Sequence, residues 1–413
     1  MSERRAILIR GAGFQNKGAE ALACTAVDEL AKRMDGFRFY VEVLSCEAES
    51  ARKCGLTPRR DASRDGSRKD KLNRLGRVLY RNPSLISAAR RFGLKTLLPL
   101  DGLPRDISAI VDVSGYAYAD VWGSALIGRT CSYIEYCRRN DIKYIFLPQA
   151  WGPFTDAEIA AKCRWACRHS VFYARDKASS EHLATLLETS VSDIPRAPDI
   201  AFRFKSLENI DGGKLDFNEP IVGIAPNMRM YERFNGRLEE NGYVKRLASI
   251  GESIVQRGAR ILLMPHELLI EAGRWDDRIL CMLLAYMLRR YGDRVIMPSS
   301  EMSSARELKS LLKRCSLVVG SRYHCLVGAL SLRVPVVAWG WSHKYQELLS
   351  AVGCDGFCVS NGEGDESVLK ERVSEAWNNR AAIASSLGQS VPCIEREVEK
   401  LFDDVSKDLQ KQE

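Results

Sequence analysis

Most marks of a membrane, redox or metal protein are missing from this chain of 413 residues. No apolar run reaches the ~20 residues that a bilayer span needs. The opening Met1-Ser2-Glu3-Arg4-Arg5 leads straight into strand-like Ala6–Ile9, without the longer apolar stretch and cleavage site of a secretory leader. The 13 cysteines are odd in number, scattered, and include no C-x-x-C pair. That argues against a disulfide framework or zinc site and for reduced, buried thiols in a cytosolic chain. No Asp/Glu/His spacing builds a metal site, so neither metal nor resident cofactor is expected. Gly11 and Gly13 lack the third glycine of a dinucleotide fingerprint. With 46% hydrophobic and 28% charged residues, the chain falls in the soluble globular class. Its length exceeds one ordinary core and implies two domains.

What is present is a localised excess of positive charge. From Arg59 to Lys95 there are 12 Lys or Arg against three Asp, a net of +9 that accounts for the whole-chain value of +8. The polar part, 59–71, reads as a loop. The part from Leu72 to Lys95 spaces Leu72, Leu75, Val78, Leu79, Leu85 and Ile86 between cations, an amphipathic helical pattern. This insertion is either a solvated basic face or a peripheral contact with anionic membrane. No aromatic platform accompanies the charge, so nucleic acid is not an expected partner.

Elsewhere strands and helices alternate. Strand-like runs fall at 5–10, 37–44, 107–113, 143–147 and 171–174, then at 221–225, 260–264, 294–297, 317–319 and 336–339. Helical segments lie between them. This predicts an α/β protein: two doubly wound, Rossmann-like domains facing a cleft in a GT-B-like arrangement, with a C-terminal helix. The expected division is an acceptor-binding domain at 1–205, a donor-binding domain at 206–385 and a terminal helix at 386–413. The polar Lys205–Pro220, with its Gly212-Gly213 pair, is the linker.

The stretch Leu317–Gly353 organises the rest. Gly320-Ser321 ends one buried strand, and Arg322-Tyr323-His324 opens a helix. Gly340 ends the next strand, and His343-Lys344-Tyr345 opens another helix. Both cation pairs fall at the carboxyl ends of neighbouring strands, where open α/β sheets bind ligands. Helix N-termini favour anions. Asn227 and Arg229 follow the strand at 221–225, and His266 and Glu267 follow that at 260–264. Four strand ends thus converge on one crevice fitted for a small, multiply charged anion.

In the first half, Asn16 and Glu20 sit in a Gly-rich loop that reads either as an ordinary turn or as a sugar contact. Asp112, Tyr116, Tyr118 and Asp120 cluster after another strand, and Gln149 ends a third. Trp151 and Phe154 are read as sugar-stacking or core aromatics. Asp176 reads as a helix N-cap. Asp199 either faces the cleft or ends a strand.

The run G-S-R-Y-H-C-L-V-G-A-L-S-L-R-V-P-V-V-A, with Lys344 downstream, resembles the C-terminal signature of the polysaccharide pyruvyl transferase family. In the same order come G-A-G-F-Q-N-K-G-A-E-A, L-P-Q-A-W-G-P-F, Y-A-R-D, A-P-D-I-A-F and V-G-I-A-P-N, so the resemblance spans Ile7 to Gly353. It implies transfer of a pyruvyl group from phosphoenolpyruvate, as donor substrate, to a saccharide or lipid-linked saccharide in cell-surface polysaccharide biosynthesis. His324 is then the acid and Arg322 the donor clamp. Arg229, Asn227, His266, Ser321, Tyr323, His343 and Lys344 surround the donor. Asn16, Glu20, Asp112, Tyr116, Tyr118, Asp120 and Gln149 meet the acceptor. Two other readings stay open: a GT-B-type glycosyltransferase with a nucleotide-sugar donor, and a non-enzymatic membrane-surface protein. A cytoplasmic location is expected, at most peripheral to the inner membrane face.

Overall fold

A computed structural model describes residues 5–60, 103, 106–208, 218–269, 276–298, 304–360 and 366–411. Most of the basic insertion and the Gly212-Gly213 pair lie outside the described residues. Two six-stranded sheets dominate. The first contains β1 (Ala6–Arg10), β2 (Arg38–Val43), β3 (Thr57–Arg60), β4 (Ile107–Asp112), β5 (Lys143–Gln149) and β6 (Val171–Ala174). The second contains β7 (Ile221–Ala225), β8 (Arg260–Leu263), β9 (Val295–Ile296), β10 (Cys315–Gly320), β11 (Val336–Gly340) and β12 (Cys358–Ser360). Their orders are β3-β2-β1-β4-β5-β6 and β12-β11-β10-β7-β8-β9, the same doubly wound order twice. Every pairing is parallel. The two sheets with their helices form two lobes, as the alternation predicts.

Near-continuous burial explains the central strands. All five residues of β7 and all five of β11 are buried, which suits sheets covered on both faces. The topological switch in the second lobe lies between β7 and β10. There Gly320 pairs with Ala225, and a Cβ on Gly320 would stand 3.0 Å from that of Ala225. Glycine thus lets the two strand ends close up, and the loops from Pro226 and Ser321 emerge side by side.

Some elements were hidden in the sequence. The helix Ser124–Asn140 buries only Ile127, Thr130, Ile134 and Cys137, a stripe too polar to stand out. The short edge strands β3 and β12 and the helix Glu366–Asn378 also went unread. The terminal helix begins at Arg380, earlier than expected, and runs to Gln410. Its buried face, Leu387, Val391, Ile394, Val398, Leu401, Phe402, Val405 and Leu409, joins a core that holds Ile7 of the first lobe and Leu326 of the second. Polar contacts tie it to the first lobe: Arg33 to Asp403 at 2.6 Å, and Lys143 to Asp408 at 3.1 Å. Among the described residues no helix is long and apolar enough to cross a membrane.

The cysteine reading needs one correction. Cys24 and Cys54 are joined by a disulfide between the helix Lys17–Ala31 and the turn before β3. Cys163, Cys167, Cys281, Cys315 and Cys325 are free and buried, as expected.

The terminal helix yields a direct check. Phe402 is fully buried, so Phe402→Ala is expected to lower unfolding free energy by about 3–5 kcal/mol in denaturant titration.

Candidate active site between the lobes

The second lobe's strand-end loops are knotted by a residue the sequence reading passed over. Asp277 opens the helix Asp277–Met287 and is wholly buried. Its Oδ1 accepts from the Met228 N–H at 3.1 Å, and its Oδ2 from those of His266 and Glu267 at 3.1 and 2.9 Å. Arg322 Nη2 donates to Asp277 Oδ1 at 2.5 Å and to Glu267 Oε2 at 2.7 Å. Burial raises the Asp277 carboxyl, and the guanidinium opposes this. Burial also works against charge on Arg322, but Asp277 and Glu267 outweigh it and keep the side chain protonated. Arg322, expected to clamp the donor, keeps a buried Nε without a hydrogen-bond partner among the described residues. Its Nη2 meanwhile holds two carboxylates and so binds three loops into one surface.

Beside it, Asn227 Nδ2 donates to the Ser321 carbonyl at 2.6 Å, and Tyr345 Oη donates to the same oxygen at 2.7 Å. Ser321 itself is buried, its Oγ accepting from Tyr243 at 3.1 Å. Asn227 and Ser321 therefore lock the switch point. Arg229 is exposed and lies 3.6 Å from Glu232, away from this cluster.

Three basic side chains gather around Tyr323 and Asp199. Arg175, at the end of β6, donates from Nη1 to Asp199 Oδ2 at 2.9 Å, and its guanidinium lies 4.4 Å from the Tyr323 ring centroid. Its Nε and Nη2 are buried without a hydrogen-bond partner among the described residues. His324 Nε2 stands 3.6 Å from Asp199 Oδ2, beyond ordinary hydrogen-bond reach, and is likewise unsatisfied. Burial would raise the Asp199 carboxyl, but His324 and Arg175 hold it at about 2. The His324 ring rests on the first lobe: a Cβ on Gly18 would fall 2.2 Å from its Nδ1.

The third is Lys344, whose ammonium is ringed by aromatics. Trp341 lies at 4.6 Å, Tyr116 at 5.1 Å, Tyr345 at 5.4 Å and Tyr323 at 5.5 Å. Burial first, then repulsion from Arg175 and Arg322, lowers its pKa to about 7. Tyr116 comes from the first lobe, so this cage spans the cleft. His343 sits near His182 across the lobes, ring centroids 6.0 Å apart, with its Nε2 buried and without a hydrogen-bond partner among the described residues. His266 is buried, and burial with Arg322 and His324 nearby lowers it to about 3, so its ring is neutral. Lys17, His266, Lys309 and His324 line a cavity of about 20 Å³ behind the site.

The first-lobe candidates divide. Tyr116 faces the second lobe. Asp112 is fully buried, accepting from Tyr118 at 2.7 Å and Tyr144 at 2.6 Å. Gln149 is buried too and donates to the Asp112 carbonyl at 3.1 Å. Tyr118 stacks on Trp151, rings 5.2 Å apart, and both belong to the core. Asp120 accepts from the Thr155 N–H and hydroxyl at 2.6 and 2.7 Å, fixing a loop. Asn16 caps the helix Lys17–Ala31. Glu20 bonds Lys17 at 2.8 Å and, across the lobes, the Ala305 N–H at 2.8 Å. Six of the seven expected acceptor contacts thus hold the scaffold. Arg175 was missed because Y-A-R-D read as a helix cap. Asp176 does cap, accepting from the Ser179 N–H at 2.8 Å, while its neighbour turns into the cleft. Among the described residues no group of three or more His, Cys, Asp or Glu could hold a metal ion.

Two like-wound lobes with a cationic cleft define a GT-B-like architecture. The family profile for polysaccharide pyruvyl transferase matches residues 16–343, and the chain belongs to that family. It is 22% identical over 259 residues to the amylovoran biosynthesis protein AmsJ of Erwinia amylovora; the match covers 60% of each chain. By fold it is similar to the UDP-GlcNAc 2-epimerase of Neisseria meningitidis bound to UDP-GlcNAc, at TM-score 0.60 and 10% identity, covering 97% of this chain and 100% of that one. A glycosyltransferase of Rickettsia africae aligns at TM-score 0.55 and 8% identity over 100% of both chains.

The Asp277 knot sets a contrast between two charged residues. Asp277→Ala strips partners from Arg322 and three backbone N–H groups, so chemical unfolding should show a loss of about 3–5 kcal/mol. Arg229→Ala should change stability by less than about 0.5 kcal/mol.

Proposed function

We propose that the protein is a transferase that moves the pyruvyl group of phosphoenolpyruvate onto a saccharide, forming a ketal in cell-surface polysaccharide biosynthesis. The observation that carries this reading is the set of buried side-chain nitrogens without a hydrogen-bond partner among the described residues: Arg175 Nε and Nη2, Arg322 Nε and His324 Nε2, together with the caged Lys344 ammonium. Buried donors of this kind call for an acceptor-rich ligand. Phosphoenolpyruvate brings a carboxylate and a phosphate on three carbons. Arg175 suits either group by paired N–H donation, and Lys344 acts as a point charge.

In the proposed reaction His324 delivers a proton to the C3 methylene, and the C2 centre becomes oxocarbenium-like. One sugar hydroxyl adds at C2 and loses its proton. The C2–O bond to phosphate breaks, its electron pair leaving on phosphate. A second hydroxyl of the same sugar then closes the ketal. One hydroxyl proton replaces that given to C3, and the other leaves with phosphate. Arg322 shapes this surface through Asp277 and Glu267. The first lobe presents the saccharide, free or lipid-linked, and the proposed location is the cytoplasm, where this donor is made.

Binding is the first test. Phosphoenolpyruvate should raise the melting temperature of the wild-type protein, and UDP-sugars should not; the reverse result would favour glycosyl transfer. With phosphoenolpyruvate and a pool of acceptor glycans, mass spectrometry should find the pyruvyl ketal with wild type. His324→Ala turning over within a few-fold of wild type would remove the acid assignment.

Lys344 gives this reading a pH signature. Its depressed pKa means the ammonium is present below about 7 and lost above it. Donor affinity by calorimetry should therefore fall about tenfold per pH unit above that point. In Lys344→Arg the cation persists, so the fall should move to higher pH by more than about two units. An unchanged profile would dissociate Lys344 from the donor.

A further inference from the structure

The loop Tyr116–Gly123 places an apolar surface at the mouth of the cleft. Val121 is 60% exposed and Trp122 40%, side by side in the short turn Asp120–Trp122. Large apolar side chains exposed together on an otherwise polar rim mark contact sites. The turn is firmly held. The Trp122 N–H donates to the Ala119 carbonyl at 3.1 Å, and the Asp120 carboxylate is fixed by Thr155. The exposure is thus built in.

Trp122 is also linked to the reacting groups. Its ring meets that of Tyr116 edge-on at 5.9 Å, and the Lys344 ammonium lies 5.1 Å from the Tyr116 centroid. The two separations place the Trp122 ring no more than 11.0 Å from Lys344 Nζ. A sugar ring lying on Trp122 would therefore sit within reach of a small donor held beside Lys344. A pyranose has an apolar face of C–H bonds and an edge of hydroxyls. Tryptophan offers a large, rigid surface to the first at little cost in side-chain freedom. The hydroxyl edge then points inward.

We propose that Trp122, backed by Tyr116, is the stacking platform for the acceptor's pyranose ring and turns its hydroxyls towards Lys344 and His324. This rests on the pyruvyl-transfer reading and names the part of the first lobe that grips the acceptor. Of the two aromatics the sequence offered for this task, Trp151 is fully buried and Phe154 is half-buried. Trp122 is an acceptor-binding residue here, with no part in holding the donor.

The test compares wild type, Trp122→Ala and Trp122→Phe by saturation-transfer NMR, with the methyl glycosides of glucose, galactose and mannose as probes. At least one glycoside should receive saturation on its C–H face from wild type and from Trp122→Phe. Trp122→Ala should bind it about fivefold more weakly. The melting-temperature shift with phosphoenolpyruvate should be equal in all three, which separates a lost platform from a lost fold. Equal glycoside binding by Trp122→Ala, or no glycoside bound by wild type, overturns the platform. So does Trp122-dependent sedimentation with phosphatidylcholine vesicles in place of glycoside binding, which would make the turn a lipid contact. A glycoside bound through Trp122 with no phosphoenolpyruvate shift upholds the platform and removes the donor, so the two readings fail separately.

Discussion

The buried pair of Asp277 and Arg322 is the constraint on which the second lobe's ligand surface depends. A buried ion pair adds little net stability when its desolvation is counted, but it is demanding about geometry. Here one carboxylate collects N–H groups from the loops after β7 and β8 and the guanidinium from the loop after β10. Three loops that could each move alone are thereby held at one spacing. His324 lies two residues beyond Arg322, at the start of the same helix, so its position is inherited from that knot. A cation that looks like a ligand clamp in the sequence can serve chemistry by orienting its neighbours.

The first lobe completes the site by docking its Gly-rich loop onto the second. The Lys17 N–H donates to the His266 carbonyl at 2.9 Å, and the Leu268 N–H to that of Gln15 at 2.8 Å. Gly18 then lies so close under His324 that no side chain fits between them. The loop's glycine is explained by this approach, with no phosphate needed. Asp199, held by Arg175, approaches the same imidazole from the first lobe. His324 is therefore defined by both lobes at once. Its surroundings are complete only when they are in contact.

The architecture was legible because it follows from periodicity and burial. Strands such as β7 and β11 are apolar throughout, and their regular alternation with helices admits few topologies. The R-x-H block at the end of β10 was legible for the same reason: a strand end and a helix start fix where Arg322 and His324 must lie. What could not be read was the direction of side chains that compete for partners. Asp112, Gln149 and Tyr118 have the chemistry of sugar ligands, yet Arg10 and Tyr144 draw Asp112 into a closed network. Arg175 has the opposite history, since its motif already had an explanation in the cap made by Asp176. Asp277 was invisible because its partners are backbone N–H groups on loops far apart in sequence.

Lys344 is the residue on which the proposed anionic donor would act most directly. Aromatic faces attract an ammonium, but they supply less than water or a carboxylate, so burial still drives its pKa down to about 7. Arg175 and Arg322 push the same way, while Asp176 and Asp199 oppose them only in part. Asp199 is itself committed to Arg175 and His324. The carboxylates nearby are thus engaged with other cations, and among the described residues none pairs with Lys344. An anion bound there would restore the Lys344 proton and accept from the Arg175 N–H groups that have no partner among the described residues. A neutral sugar would do neither, so in the proposed reaction the donor's acid groups take the place beside Lys344 and the saccharide takes the aromatic rim.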